Sequence, residues 1–270
     1  MGNGATNLNF MALEKPTREA IAAFVTALVE RTLRKRVQLE PWDAEKERRL
    51  RPFAFALVPE EVWKGAKFER SFATSFGSAW EEMALLVARD KYDHAERGGS
   101  YTGRLFQDQL AQIQRILNEL DNRLRKPDWD AEFESVVAAR SGAEVKVSVI
   151  ADVHAWNDDG SHLFFEVKAP MPNSDQTKVS KEKMLKLSAM LGTTCAYYAL
   201  PYNPYPSRAT YGHSPPKRWF NMSSDEVVLI GPDFWDKVGG PDTWDDLVEL
   251  IEEIGDTFRE RIRREYLGLN

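Results

Sequence analysis

The sequence predicts a mixed α/β fold: a β-sheet with both parallel and antiparallel neighbours, flanked by helices and preceded by an N-terminal helical region. Three observations carry this. Residues on either side of Asn157-Asp158-Asp159-Gly160 alternate with period two, as paired strands with a buried face do. A helical pattern then separates the strand at Glu166 from another near Tyr197. A helix between two strands is a crossover, which lets part of the sheet run parallel. Apolar stripes at helical spacing occupy the N-terminal stretch.

The elements follow in order. Thr17 is placed to cap a helix in which Ile21, Phe24, Val25 and Leu28 form an apolar stripe, ending in the basic stretch Arg31 to Arg36. A helix carrying Glu81 buries Trp80, Ala84 and Val87 and leaves Glu81 on its flank. Arg97-Gly98-Gly99-Ser100 reads as an exposed loop. Phe106, Leu110, Ile113, Leu117 and Leu120 recur at spacings of four and three, a stripe that serves either a core or a dimer seam. One strand runs from Glu144 to Trp156, with Val145, Val147, Val149, Ala151, Val153 and Ala155 on one face and Glu144, Lys146, Ser148, Asp152 and His154 on the other. Beyond the turn, Leu163, Phe165 and Val167 oppose His162, Glu166 and Lys168, and only Phe164 breaks the alternation. A helix from about Lys178 to Leu191 faces Met184, Leu187 and Leu191 inward. Thr193 to Leu200 and Glu226 to Ile230 add strands, and Trp244 to Tyr266 a closing helix. The expected organisation is an N-terminal helical region, 1–75, packed as one continuous unit on a core of residues 76–270.

The turn fixes the register of the central hairpin. A loop of Asp158, Asp159 and Gly160 suits a type I turn followed by a left-handed residue, a conformation glycine adopts without steric cost. Pairing Asn157 with Ser161 then sets Asp152 opposite Glu166, each five residues from its end of the loop. Opposed Cβ atoms lie about 4.5 to 5.5 Å apart, so two carboxylates there can share one cation. Without a proton or a cation between them they repel. A hard divalent ion bound by one or two carboxylates, with water completing its shell, meets that need. Lys168, two residues beyond Glu166 on the same face, is placed to orient such a water or to stabilise phosphate charge.

Composition narrows the class. With 270 residues, 43% of them hydrophobic, the chain can bury one large core or two small ones. No apolar run approaches the ~20 residues that span a bilayer, and no secretory leader pattern is evident. A single cysteine, Cys195, excludes an internal disulfide and suits a reducing cytoplasm. The net charge of -6 argues against nucleic acid globally, but the stretch from Lys168 to Arg218 holds eight basic and two acidic residues. Within it, Tyr198 to Phe220 is aperiodic and rich in Tyr, Pro, Asn, Arg and His. It reads either as a proline-stiffened surface loop or as a segment that holds DNA through Arg208, Lys217 and Arg218.

The run Glu166-Val167-Lys168-Ala169-Pro170-Met171-Pro172-Asn173-Ser174-Asp175-Gln176-Thr177-Lys178 resembles that of type II restriction endonucleases of the TdeIII kind, within the PD-(D/E)xK nuclease superfamily. Further blocks are similar in the same order: Arg51-Pro52-Phe53, Leu57 to Glu61, Lys67 to Gly77, Ala199 to Tyr205, and Ile230 to Asp236 with Gly239-Gly240. The resemblance implies a restriction-endonuclease-like fold and Mg²⁺-dependent cleavage, with Mn²⁺ able to substitute, of double-stranded DNA at a short palindrome, GGNCC. It implies Asp152, Glu166 and Lys168 as the catalytic triplet. Glu81, in Gly77-Ser78-Ala79-Trp80-Glu81, resembles the superfamily's additional metal ligand, with Glu82 as the alternative. Asn173, Gln176 and Lys178 would line the phosphate. Ala151 stands where many members carry proline. A homodimer is expected because a palindrome presents one half-site twice. A prokaryotic cytoplasmic enzyme with a cognate DNA methyltransferase as genetic partner, and no membrane association, completes the expectation. The rivals are a repair or structure-specific nuclease of the same superfamily and a non-catalytic DNA-binding protein.

Three short patterns are set aside: Met1 to Thr6 as a myristoylation signal, Asn221-Met222-Ser223 as a sequon, and four scattered histidines with one cysteine as a zinc site.

Overall fold

The computed structural model describes residues 12–269, so the Met1 to Thr6 pattern lies outside the described residues. Two compact units emerge, Met1–Trp80 with Asp245–Asn270, and Glu81–Trp244. This grouping differs from the division at residue 75 read from the sequence, because the C-terminal helix falls with the N-terminal ones.

The first unit is helical. Helix α1 (Lys15–Arg34) buries Ile21, Val25 and Leu28 as expected, but Glu14 rather than Thr17 is its N-cap and Pro16 lies in its first turn. Proline suits that position because its missing N–H would have no partner there. Helices α2 (Ala44–Leu50), α3 (Pro52–Leu57) and α4 (Glu60–Gly77) follow. Along α4, Phe68, Phe72 and Phe76 recur every fourth residue, the first two stacked and the last two in tilted contact.

The second unit carries the sheet. Its elements are α5 (Ala79–Lys91), β1 (His94–Arg97), β2 (Ser100–Phe106), α6 (Gln107–Asp121), α7 (Trp129–Ala138), β3 (Glu144–Ile150), β4 (Val153–Trp156), β5 (His162–Val167), α8 (Ser174–Leu191), β6 (Ala196–Leu200), β7 (Val228–Ile230) and α9 (Pro232–Gly239). Helix α10 (Thr243–Arg261) then returns to the first unit, where Arg18 pairs with Glu253 at 2.9 Å. Five strands form one sheet in the order β1-β4-β5-β6-β7, antiparallel from β1 to β5 and parallel from β5 to β7. The crossover helix α8 accounts for the parallel half, as its place between two strands required.

The single strand expected from Glu144 to Trp156 is divided at Ala151-Asp152. Strand β3 pairs with β2 in a separate two-stranded ribbon, whereas β4 enters the large sheet. The neighbouring chain turns the same corner at Gly98-Gly99, with Gly98 at φ +65°. Ala151 N–H donates to Gly99 O at 3.2 Å and Gly98 N–H to Asp152 O at 3.1 Å. The stretch Arg97 to Ser100 is therefore a tight corner between two strands rather than a free loop.

The polar face expected on the hairpin is also covered. His154 and Glu166 are buried beside Phe164, because β4 and β5 are interior strands and α8 lies against β5 and the ribbon. The core on this side joins Ile113, Ile116 and Leu117 of α6 with Phe164, Met184, Leu187 and Tyr198. On the other face Phe165 stacks on Tyr197 and meets Phe234 of α9.

Candidate active site

The turn has the predicted conformation. Asn157 N–H donates to Ser161 O at 3.1 Å, Gly160 N–H to Asn157 O at 3.0 Å, and Gly160 sits at φ +83°. Strand pairing runs Val153 with Phe165 through Trp156 with His162. Continued by one residue, this register faces Asp152 with Glu166 at the end of the hairpin where the corner is formed. Lys168 lies just past β5, its N–H held by Ala199 O at 2.9 Å.

The ammonium of Lys168 bridges the two acids. It contacts Asp152 Oδ2 and, at 3.2 Å, Glu166 Oε2. Burial pulls the Lys168 pKa down, but Glu166 and Asp152 outweigh it, so the value ends above that of a free lysine. Glu166 is 1% exposed. Burial and the Asp152 charge raise its carboxyl above the ordinary range against the pull of Lys168 and Lys183. Glu81, on the first turn of α5, shares this field: burial and then Asp152 raise its carboxyl, opposed by Arg97 and Lys168. Arg97 holds Glu81 at 3.3 Å and Glu82 at 2.9 Å.

Two partners of Glu166 were not foreseen in the sequence. Lys183, on α8, donates to both oxygens of Glu166 at 2.9 and 3.1 Å, and Ser180 Oγ, one turn earlier, donates at 3.3 Å. The i, i+3 spacing of these two residues puts them on one helix face. A polar pair amid the buried positions Thr177, Met184 and Leu187 was the available signal.

The residues expected on DNA have the following surroundings. Asn173 is the N-cap of α8 and its side chain accepts from Gln176 N–H at 2.8 Å, so that side chain serves the helix. Gln176 is exposed. Lys178 and Arg218 both pair with Asp121, at 2.8 and 3.2 Å. Arg208 braces its loop, donating to Met222 O at 3.0 Å and Asp225 O at 2.5 Å. Lys217 is exposed. Cys195 is buried and its thiol is pushed up to about 12 by that burial, which leaves it without nucleophilic character at neutral pH.

Against known proteins, the family model of the type II restriction endonuclease HinfI matches residues 17–255. The chain belongs to the type II restriction endonucleases. It is similar to three enzymes of Herpetosiphon aurantiacus. Type II restriction enzyme HgiEI is 30% identical over 91% of this chain and 95% of its own length. HgiBI is 29% identical over the same shares, and HgiCII is 32% identical over 76% of this chain and 78% of its own. No solved structure matches the chain. As a member of this family the protein is a site-specific deoxyribonuclease, and its mixed sheet with flanking helices is consistent with a restriction-endonuclease-like fold. Among the described residues no helix is long and apolar enough to cross a membrane.

Type II restriction endonucleases generally use divalent metals. Among the described residues no group of three or more His, Cys, Asp or Glu side chains is gathered closely enough to hold one. The donor chemistry nevertheless fits: Asp152 and Glu166 converge on a single cationic atom, Lys168 Nζ, and hard oxygen donors suit a hard ion.

Proposed function

We propose that this restriction endonuclease hydrolyses double-stranded DNA at a short palindrome, GGNCC, with Mg²⁺ or Mn²⁺, through Asp152, Glu166, Lys168 and Glu81. The observation that carries the reading is the opposed pair Asp152 and Glu166 sharing one ammonium at the end of the hairpin. Asp152 and Glu166 would hold the ion, with Glu81 as a further carboxylate that turns towards it on binding, because its carboxyl, raised first by burial and then by the Asp152 charge, feels the same site. When bound, the ion supplies an activated water and charge neutralisation at the phosphate. Lys168 contributes positive charge at the scissile group, and Lys183 with Ser180 fixes the orientation of Glu166. Lys217, Arg218, Lys178, Gln176 and Arg208 remain assigned to the DNA side, Arg208 through the loop it braces and Asn173 through the helix it caps. The enzyme acts as a homodimer in a prokaryotic cytoplasm, alongside a methyltransferase that protects the same site.

Digestion of a sequenced plasmid tests this. Discrete fragments whose ends map to GGNCC, formed with Mg²⁺ and lost with a chelator, are expected. Asp152→Asn should lower the cleavage rate by about three orders of magnitude while DNA binding persists, matching the several kcal/mol such a group contributes to the transition state. Products that depend on ends or on DNA structure would favour a repair nuclease. Binding without cleavage by the wild-type chain would favour a non-catalytic protein.

A further inference from the structure

A second cationic surface lies on the same unit, lined by none of the catalytic carboxylates. The turn after α6 carries Arg123, Arg125 and Lys126, and it forms a cleft of about 650 Å³ with Ser174, at the start of α8, and with Lys217 and Arg218. No acidic residue lines it. Arg125 is bound to Glu119 at 3.4 Å, and Arg218 to Asp121. Among the described residues, Arg123, Lys126 and Lys217 have no ion-pair partner, and all three are exposed. Lys126 and Lys217 also wall a smaller adjoining cleft of about 290 Å³ with Asn221 and Ser223. The two clefts therefore share a rim of unneutralised charge.

The backbone at Arg123 sharpens the point. Its φ is +58°, a left-handed conformation that costs a side chain energy and tends to be retained where function or surroundings demand it. The path from the hairpin is short. Ser174 lies six positions beyond Lys168, so even fully extended chain places the two Cα atoms within about 20 Å. That connecting segment is tied to the loop across the cleft, with Tyr211 donating to Pro170 O at 2.7 Å and His213 meeting Pro172 O at 2.8 Å.

The geometry points to a two-walled clamp for phosphodiester groups, in which Arg123 and Lys126 on one side and Lys217 on the other grip duplex backbone near the scissile phosphate. The inference rests on the proposed DNA cleavage at the hairpin. At about 3.4 Å per phosphate along a strand, a reach of about 20 Å sets Ser174, one residue of the cleft wall, within about six nucleotides of Lys168. Arg123 and Lys126 had no place in the sequence reading. They lie outside both the aperiodic loop and the basic stretch, in the turn after a helix whose stripe spoke only of packing.

The test measures duplex affinity of the full chain by fluorescence anisotropy over a series of salt concentrations, in metal-free buffer so that no cleavage intervenes. Each phosphate contact contributes about 0.9 to the slope of log K against log salt. Arg123→Ala with Lys126→Ala should reduce that slope by about 1.8, and Lys217→Ala alone by about 0.9, with an unchanged thermal midpoint. The charge-retaining pair Arg123→Lys with Lys126→Arg should restore it. An unchanged slope in the double alanine variant, with wild-type binding intact, overturns the clamp and leaves the cleavage reading standing. Loss of mononucleotide binding in that variant, with the duplex slope unchanged, also overturns it and reassigns the cleft to a free phosphate ligand. A wild-type chain that does not bind duplex at all overturns both.

Discussion

Glu166 shows how much one side chain can depend on its neighbours. A carboxylate 1% exposed is tolerable only when its charge is met by hydrogen-bonded cations, and Lys168, Lys183 and Ser180 together meet it. Lys183 is part of that arrangement although nothing in the catalytic triplet announces it. Lys183→Met should destabilise the protein by about 1–3 kcal/mol, since it removes two charge-assisted bonds from a buried acceptor that keeps other partners. Lys183→Arg should recover most of the loss. Urea denaturation gives the answer, and a change below about 0.5 kcal/mol, the range of ordinary surface substitutions, would mean that Lys183 does not support Glu166.

At the scale of elements, α8 works on two sides. One face reaches Glu166, and another buries Lys181 against Glu132 of α7, both fully inaccessible. The Lys181 ammonium also lies 5.1 Å from the ring centre of Trp129 and 4.6 Å from that of Phe220. Burial lowers the lysine pKa and raises that of Glu132, each opposed by the partner's charge. Such a pair binds the two helices in one relation, while its desolvation offsets most of its attraction. Lys181→Met alone, by stranding Glu132, should cost about 3–5 kcal/mol. Lys181→Met combined with Glu132→Leu should cost far less. If chemical denaturation finds the double variant as unstable as the single one, the pair is not an isolated counter-charge arrangement. Helix α7 was not foreseen, though Trp129, Glu132 and Val136 recur at three and four residues and Asp128 caps Ala131 N–H at 3.1 Å. Its signal was obscured because one of the buried positions is a glutamate, which reads as surface.

For the whole molecule, net charge and DNA binding are compatible because charge is distributed unevenly. A chain of net charge -6 carries eight basic and two acidic residues between Lys168 and Arg218. A polyanion responds to local potential within about a Debye length rather than to the total. The palindromic reading adds a requirement of stoichiometry. Sedimentation of Asp152→Asn with a duplex bearing one GGNCC site should give two chains of 30.8 kDa each per duplex. One chain per duplex would remove the symmetric dimer from the reading.

The sequence by itself determined the hairpin: a glycine that must take positive φ and a strict alternation leave one register, and that register faces Asp152 with Glu166. It also determined the crossover and with it the parallel half of the sheet. Tertiary structure decided what closes around those acids. The corner at Ala151-Asp152, the partner strands β1 and β2, and the approach of Lys183 all depend on contacts between segments distant in sequence, which local periodicity does not encode. For the same reason a face patterned as polar became an interior: alternation tells which side chains share a side, and only packing decides whether water reaches it.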